Sequence, residues 1–391
     1  MHGKAIFVHY TRAVYAMNWF NIAPGLIYIA QDFHATITSL GILTTVFYAG
    51  VGAFQLPGGA LAARYGNRII AGLGISILGV ATLLSSFSPN IVFLSSMRFI
   101  EGFGSALFFS PAISSLRSIV PEERYAFHVN IYNGSFSIGA GMGVFIWGYL
   151  DGIGYIGWRG GFLIAGIITL FSGIMYLIIL AGTGESVRRG KDLLRNMVKA
   201  MRIKGIWFLS LSCMGVVIAD IVIGQLLVYY LEFRGFSSGD SSIADSLFLV
   251  FGFVGGILGA FTARTVGSSR KYLGMVTLMT IVSLFILPFL GTIYLYYLLS
   301  IVLGILIVVA FSILYTIVGI SQRDLSLLAF SLSITNFIQQ LIGAAWPSVF
   351  GFIKAYSDYT VSWISMGIIG IAFIPLITLA GKDSFSPKGK E

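Results

Sequence analysis

The sequence predicts an all-α membrane protein with twelve transmembrane helices in two six-helix repeats. Three observations carry this reading. Hydrophobic residues make up 57% of the 391 residues and charged residues only 10%, whereas ordinary soluble domains carry about 25% charge. The apolar residues fall into runs of bilayer-spanning length, about 20 residues each, separated by short clusters of charge, Gly, Pro and Ser. The runs divide evenly about one strongly basic break, and the two sides echo each other. Little length is left for a soluble domain, so the chemistry must lie inside the bundle.

In chain order the predicted spans are 5–30, 39–62, 69–87, 91–120, 126–150 and 160–182, then 205–231, 244–263, 272–290, 294–320, 328–353 and 361–380. The first is expected to be retained as a helix, because no short apolar core with a small-residue cleavage site precedes it. The organisation is an N-terminal half (1–182), a linker (183–204) and a C-terminal half (205–391). In the linker, Leu193, Leu194, Met197, Val198 and Met201 recur at helical spacing opposite basic positions, the pattern of an amphipathic helix lying along a membrane surface.

Basic residues set the expected orientation. With the amino terminus inside, Lys4, Arg64, Arg68, Arg117, Arg124, the linker bases from Arg188 to Lys204, Arg264, Arg270, Lys271, Arg323 and the C-terminal lysines all fall on one side. The other side receives Arg159, Arg234 and Lys354. An excess of Lys and Arg marks the cytoplasmic side, so both termini and the linker are expected there, in a multi-pass protein of the cell membrane.

Composition also excludes function classes. The net charge of +9 lies between hydrophobic spans rather than on a soluble face, which argues against nucleic-acid binding. The single cysteine, Cys213, cannot form an intrachain disulfide, and His2, His9, His34 and His128 lack metal-ligand spacing. No phosphate-binding Gly-Lys motif, zinc-type histidine pair or nucleophile–base constellation appears, so neither an enzyme nor a cofactor is expected.

The halves repeat each other locally. Gly59-Ala-Leu-Ala-Ala63-Arg64-Tyr-Gly66 follows the second span, and Gly259-Ala-Phe-Thr-Ala263-Arg264-Thr-Val-Gly267 follows the eighth. The fifth and eleventh spans share Ala126-Phe127, Ile131 and Asn133 with Ala329-Phe330, Ile334 and Asn336. Parallel repeats of six helices are an established transporter plan. Gly59, Ala63, Arg64, Gly66 and Arg68, in the loop after the second span, resemble the G-x-x-x-D-R-x-G-x-R motif of the major facilitator superfamily, with Ala63 in place of the acid. Arg98, Gly102 and Gly104 on the fourth span and Gly157-Trp158-Arg159 before the sixth extend that resemblance. It implies a secondary transporter working by alternating access, with helices one, four, seven and ten around a central cavity. The loop residues Gly59, Arg64, Gly66, Arg68 and Arg264 would then act in gating, and the missing acid would weaken the outward-facing state. Tyr10-Thr11-Arg12, Ala23-Pro24 and Gln31-Asp32-Phe33 resemble the first helix of organic-anion symporters, while Gly139, Gly141 and Gly143 lack the proline that accompanies such glycines in many drug antiporters.

Ionisable groups inside a bilayer cost at least ~2.5 kcal/mol and usually face a polar cavity or one another. Glu101 and Asp220, nearest the membrane midplane, are the proton-coupling candidates. Arg98 lies three residues before Glu101 on the same helical face, so the two either share a substrate or form a permanent ion pair. Arg98 and Arg12 are candidates for the negative group of a substrate, although Arg12 is near enough to the start of its span to snorkel to the surface. Asn133 on the fifth span, and Asn336 and Gln340 on the eleventh, sit on polar stripes that either contact solute or bond between helices; Tyr315 is a further candidate. The resulting expectation is a monomeric transporter coupling protons to uptake of a small organic anion. The alternative is an exporter of drugs or neutral metabolites.

Overall fold

The computed structural model describes residues 2–152, 154, 156–183, 191–265, 270–321 and 325–380. The chain begins with α1 (His2–Phe20), α2 (Leu26–Phe33), α3 (Ile37–Tyr65), α4 (Asn67–Ser85), α5 (Ile91–Arg117), α6 (Glu122–Gly152) and α7 (Gly157–Ile179). After α8 (Lys191–Met201) come α9 (Lys204–Ser212), α10 (Met214–Phe233), α11 (Ser238–Thr265), α12 (Arg270–Ile286) with a 3-10 turn at Leu287–Phe289, α13 (Ile293–Ser321), α14 (Leu325–Gly343), α15 (Trp346–Tyr356), α16 (Tyr359–Phe373) and α17 (Leu376–Leu379). These form twelve columns, because α1–α2, α9–α10, α14–α15 and α16–α17 are each one span interrupted part-way.

The interruptions depart from the continuous spans expected from hydropathy. Pro24, Pro347 and Pro375 lie beside three of them, where a missing N–H and a blocked carbonyl end the helical ladder. At the first, Ala23 N–H bonds Phe20 O and Gly25 N–H bonds Ile22 O, a tighter turn than the α-helix. Cys213 separates α9 from α10 with no proline nearby; apolar periodicity carries no signal for it. Starts are set by side-chain caps: Thr36 accepts from Ser39 N–H at 3.3 Å, Asn90 from Phe93 N–H at 2.9 Å and Asp358 from Val361 N–H at 2.8 Å. The eighth span starts at Ser238 rather than 244, which moves Asp245 about 10 Å inside the helix at 1.5 Å per residue.

Nine of the described helices are long and apolar enough to cross a membrane. The three remaining columns, α1–α2, α6 and α14–α15, are those carrying Arg12, Asn133 and the Asn336–Gln340 stripe. Polar residues facing an interior cavity dilute their hydropathy. Lipid-facing surface is read from Ile167, Phe171, Ile174 and Ile178 of α7, all exposed at spacings that share one helical face. By contrast α10 is apolar and buried almost all round, as befits a helix enclosed by its neighbours.

Several sequence motifs are packing devices. A side chain at Gly102 would collide with the Phe47 carbonyl of α3, and one at Gly104 would meet Gly74 O and Leu78 N of α4, each 2.7 Å away. Gly66 joins α3 to α4 with φ 95°, a conformation that favours glycine. Arg68 donates to Leu177 O at 3.0 Å, tying that turn to the end of α7. Gly59 has open space around it, and Arg64 lies over the Tyr65 ring at 5.2 Å. The Arg264 side chain lies outside the described residues.

The two halves meet chiefly at the end of the bundle away from residues 2 and 380. There Thr45 and Ser348 share a hydrogen bond of 2.7 Å, Thr38 donates to Gly351 O, Tyr28 pairs with Ser238, and Ser246 donates to Gly141 O at 2.8 Å. Gly41 lies against the Pro347 carbonyl, and Gly351 against that of Ile37. The linker helix α8 packs on α14, with Ala200 and Ile203 buried and Arg195, Lys199 and Arg202 exposed.

Candidate functional site

Between the halves lies a cavity of about 260 Å³. Arg12 stands on the N-terminal wall and Asp220 on the C-terminal wall. Four further residues expected from sequence to contact a solute or lie on its polar stripes also line it, Asn133, Tyr315, Asn336 and Gln340, and Ser137 lies beside Asn133 on the same wall. The rest of the wall is largely aromatic, with Tyr15, Trp19, Phe109, Phe136, Phe248 and Phe311.

Arg12 does not snorkel. It is buried, and its guanidinium is surrounded by the rings of Tyr15, Phe109, Tyr132 and Phe136 at 4.6, 4.8, 4.7 and 4.4 Å. Ring faces stabilise a cation through their quadrupoles without neutralising it, and no described carboxylate forms an ion pair with it. On the opposite wall the Tyr315 hydroxyl donates to Gln339 Oε1 at 3.0 Å, with Asn336 Oδ1 at 3.4 Å. Gln339 Nε2, Gln340 Oε1 and Gln55 Nε2 are buried without hydrogen-bond partners among the described residues. Buried amides of this kind gain from a polar solute that completes their bonding.

Arg98 and Glu101 lie elsewhere. Neither lines the cavity, both side chains are fully buried, and they pair with each other at 2.5 Å. Arg98 also bonds Asn18 O and lies over the Phe47 ring at 4.3 Å, while Glu101 accepts from Ser85 at 2.8 Å. The close contact of Gly102 with α3 turns this face of α5 toward α1, α3 and α4 rather than the cavity. That rotation was not legible in the spacing, which says only that the two residues share a face.

Sequence reasoning passed over Tyr48, Gln55 and Gln339, which line the cavity, and Asp245, which lies just beyond it. Asp245 had a signal, an acid near the start of an apolar run, but a late helix start placed it at the membrane boundary. Two other motifs meet at the far end: Trp158 Nε1 donates to Asp32 at 2.8 Å, and Arg159 donates to Ser86 O and Ser88 O while lying 3.7 Å from Asp32.

Twelve columns thus surround a polar, aromatic cavity, with the inter-half contacts gathered at one end. The family model described as Major Facilitator Superfamily matches residues 10–347. The chain belongs to the major facilitator superfamily. Among solved structures it is similar to a bacterial homolog to human lysosomal transporter, Spinster, in an inward-facing and unoccupied conformation, with TM-score 0.83 and 17% identity over 98% of this chain and 97% of that one. A D-xylose–proton symporter gives TM-score 0.76 at 12% identity, covering 95% and 96% of the two chains. Among curated proteins, Multidrug resistance protein MdtL of Salmonella heidelberg (strain SL476) is 28% identical over 227 residues, 57% of each chain. The 4-hydroxybenzoate transporter PcaK of Pseudomonas aeruginosa is 27% identical over 183 residues, 45% of this chain and 39% of that one. The match thus spans little more than half of the one relative and less than half of the other. As a major facilitator the chain is a multi-pass membrane protein.

Proposed function

We propose that this major facilitator takes up a small organic anion, a carboxylate with an apolar and preferably aromatic body, by symport with protons across the cell membrane, with both termini cytoplasmic. The observation that carries the reading is Arg12, a buried cation on the cavity wall with four aromatic neighbours and no carboxylate partner among the described residues. A guanidinium offers paired parallel hydrogen bonds to a carboxylate, and Trp19, Phe109, Phe136 and Phe311 give an apolar body a surface to contact. Arg98, with Glu101 already against it, is assigned to architecture instead. The partial likeness to PcaK points the same way; that to MdtL supports the exporter reading, for which the aromatic walls and Asp220 also speak.

Thermal shift of the purified protein with benzoate, 4-hydroxybenzoate, xylose and a lipophilic cation tests this, since a ligand of the folded state raises apparent stability. The carboxylates should stabilise the wild type. Arg12→Lys should weaken their binding by roughly 10-fold or more and Arg12→Gln by about 100-fold, the scale of a lost charged hydrogen bond. Stabilisation by the lipophilic cation alone would favour export and sink the anion reading.

A further inference from the structure

Among the described residues the cavity wall carries two charged groups, one of each sign: Arg12 of α1 and Asp220 of α10. No ion pair joins them to each other or to another described residue. Nε and Nη1 of Arg12 are buried without a hydrogen-bond partner among those residues.

The fold sets the two charges at similar depth. α1 and α10 belong to the first and seventh columns, so they cross the membrane in the same direction. They are pinned together where Gln225 Nε2 of α10 donates to Trp19 O of α1 at 2.9 Å. Measured back from that bond, Arg12 lies seven residues along α1 and Asp220 five residues along α10, about 10 Å and about 8 Å at 1.5 Å per residue. Val217, Asp220 and Ile221 line the cavity together, a spacing that turns one face of α10 toward it. Beside the pin Trp19 and Tyr48 meet edge to face at 5.5 Å, and both line the cavity.

Each charge is costly while it stands unpaired inside a membrane bundle. A solute with one charge offsets one of them and leaves the other as it was. A solute bearing both a carboxylate and an ammonium offsets both, and neither residue has to move to meet the other. The guanidinium takes a carboxylate through paired hydrogen bonds, and the Asp220 carboxylate accepts from an ammonium, a compact charge with three donors. Aromatic rings near an ammonium stabilise it further.

We propose that the substrate is a zwitterion, an amino acid with an apolar body, bound with its carboxylate on Arg12 and its ammonium on Asp220. This rests on the reading of Arg12 as the carboxylate site and adds a second contact on the opposite half.

The test compares solutes matched in body and differing in one charged group, by thermal shift of the purified protein at neutral pH. Phenylalanine is set against 3-phenylpropanoate, and 4-(aminomethyl)benzoate against 4-methylbenzoate, so that a short and a long charge separation are both sampled. In the wild type at least one ammonium-bearing acid should bind about 10-fold or more tighter than its match, the scale of one charged hydrogen bond. Asp220→Asn should bring that acid down to the affinity of its match, and Asp220→Glu should keep a preference. The wild-type comparison decides the matter even where a variant does not fold. Equal or tighter binding of both ammonium-free acids overturns the zwitterion and leaves the anion reading in place. A preference that survives in Asp220→Asn overturns the assignment of the ammonium to Asp220. Stabilisation by none of the four acids sinks the anion reading, and this inference with it.

Discussion

If Arg98 and Glu101 are architecture, breaking the pair should cost stability and removing both charges should restore it. Both side chains are fully buried, the pair is 2.5 Å apart, and each partner has one further bond, to Asn18 O and from Ser85. Removing one member of such a pair leaves an uncompensated buried charge, a loss of about 3–5 kcal/mol. That is more than about 100-fold in a folding equilibrium. Glu101→Gln strands the guanidinium beside Phe47, and Arg98→Gln strands the carboxylate beside Ser85. The double variant Arg98→Gln with Glu101→Gln leaves two amides able to bond each other and should recover most of the loss, because replacing a buried pair by neutral groups is often close to neutral. The protein supplies its own reporter: Cys213 is its only cysteine and is buried, so a thiol-reactive fluorophore marks unfolding during a thermal ramp in detergent. Single variants as stable as the wild type, or a double variant no more stable than the singles, would refute the reasoning. A stable double variant unable to bind carboxylates would return Arg98 to the binding site.

Two further outcomes follow from the closed end. Thr45→Cys with Ser348→Cys, whose hydroxyls are 2.7 Å apart, should form a disulfide under oxidation in a Cys213→Ser background and stop transport reversibly with reductant; cross-linked protein that still transports would remove these helices from the gate. Single cysteines at Arg202 and Ser357, both exposed, should react with impermeant reagent from opposite faces of the membrane, and labelling from one face alone would overturn the proposed orientation.

The sequence by itself determined the class of protein, because twelve apolar runs of spanning length in a chain with 10% charge have one physical solution in lipid. It also identified much of the cavity: Arg12, Asp220, Asn133, Tyr315, Asn336 and Gln340 stand out as polar groups where polarity is expensive. Helix rotation and interruption were decided only in three dimensions. Arg98 and Glu101 look from spacing as eligible as Asp220, yet Gly102 draws their face against α3 and away from the cavity. Asp245 looks like a boundary residue until the early start of α11 puts it two turns deep and fully buried. Hydropathy reports how costly a side chain is in lipid; which neighbour offsets that cost depends on packing, and packing joins residues that no local pattern relates.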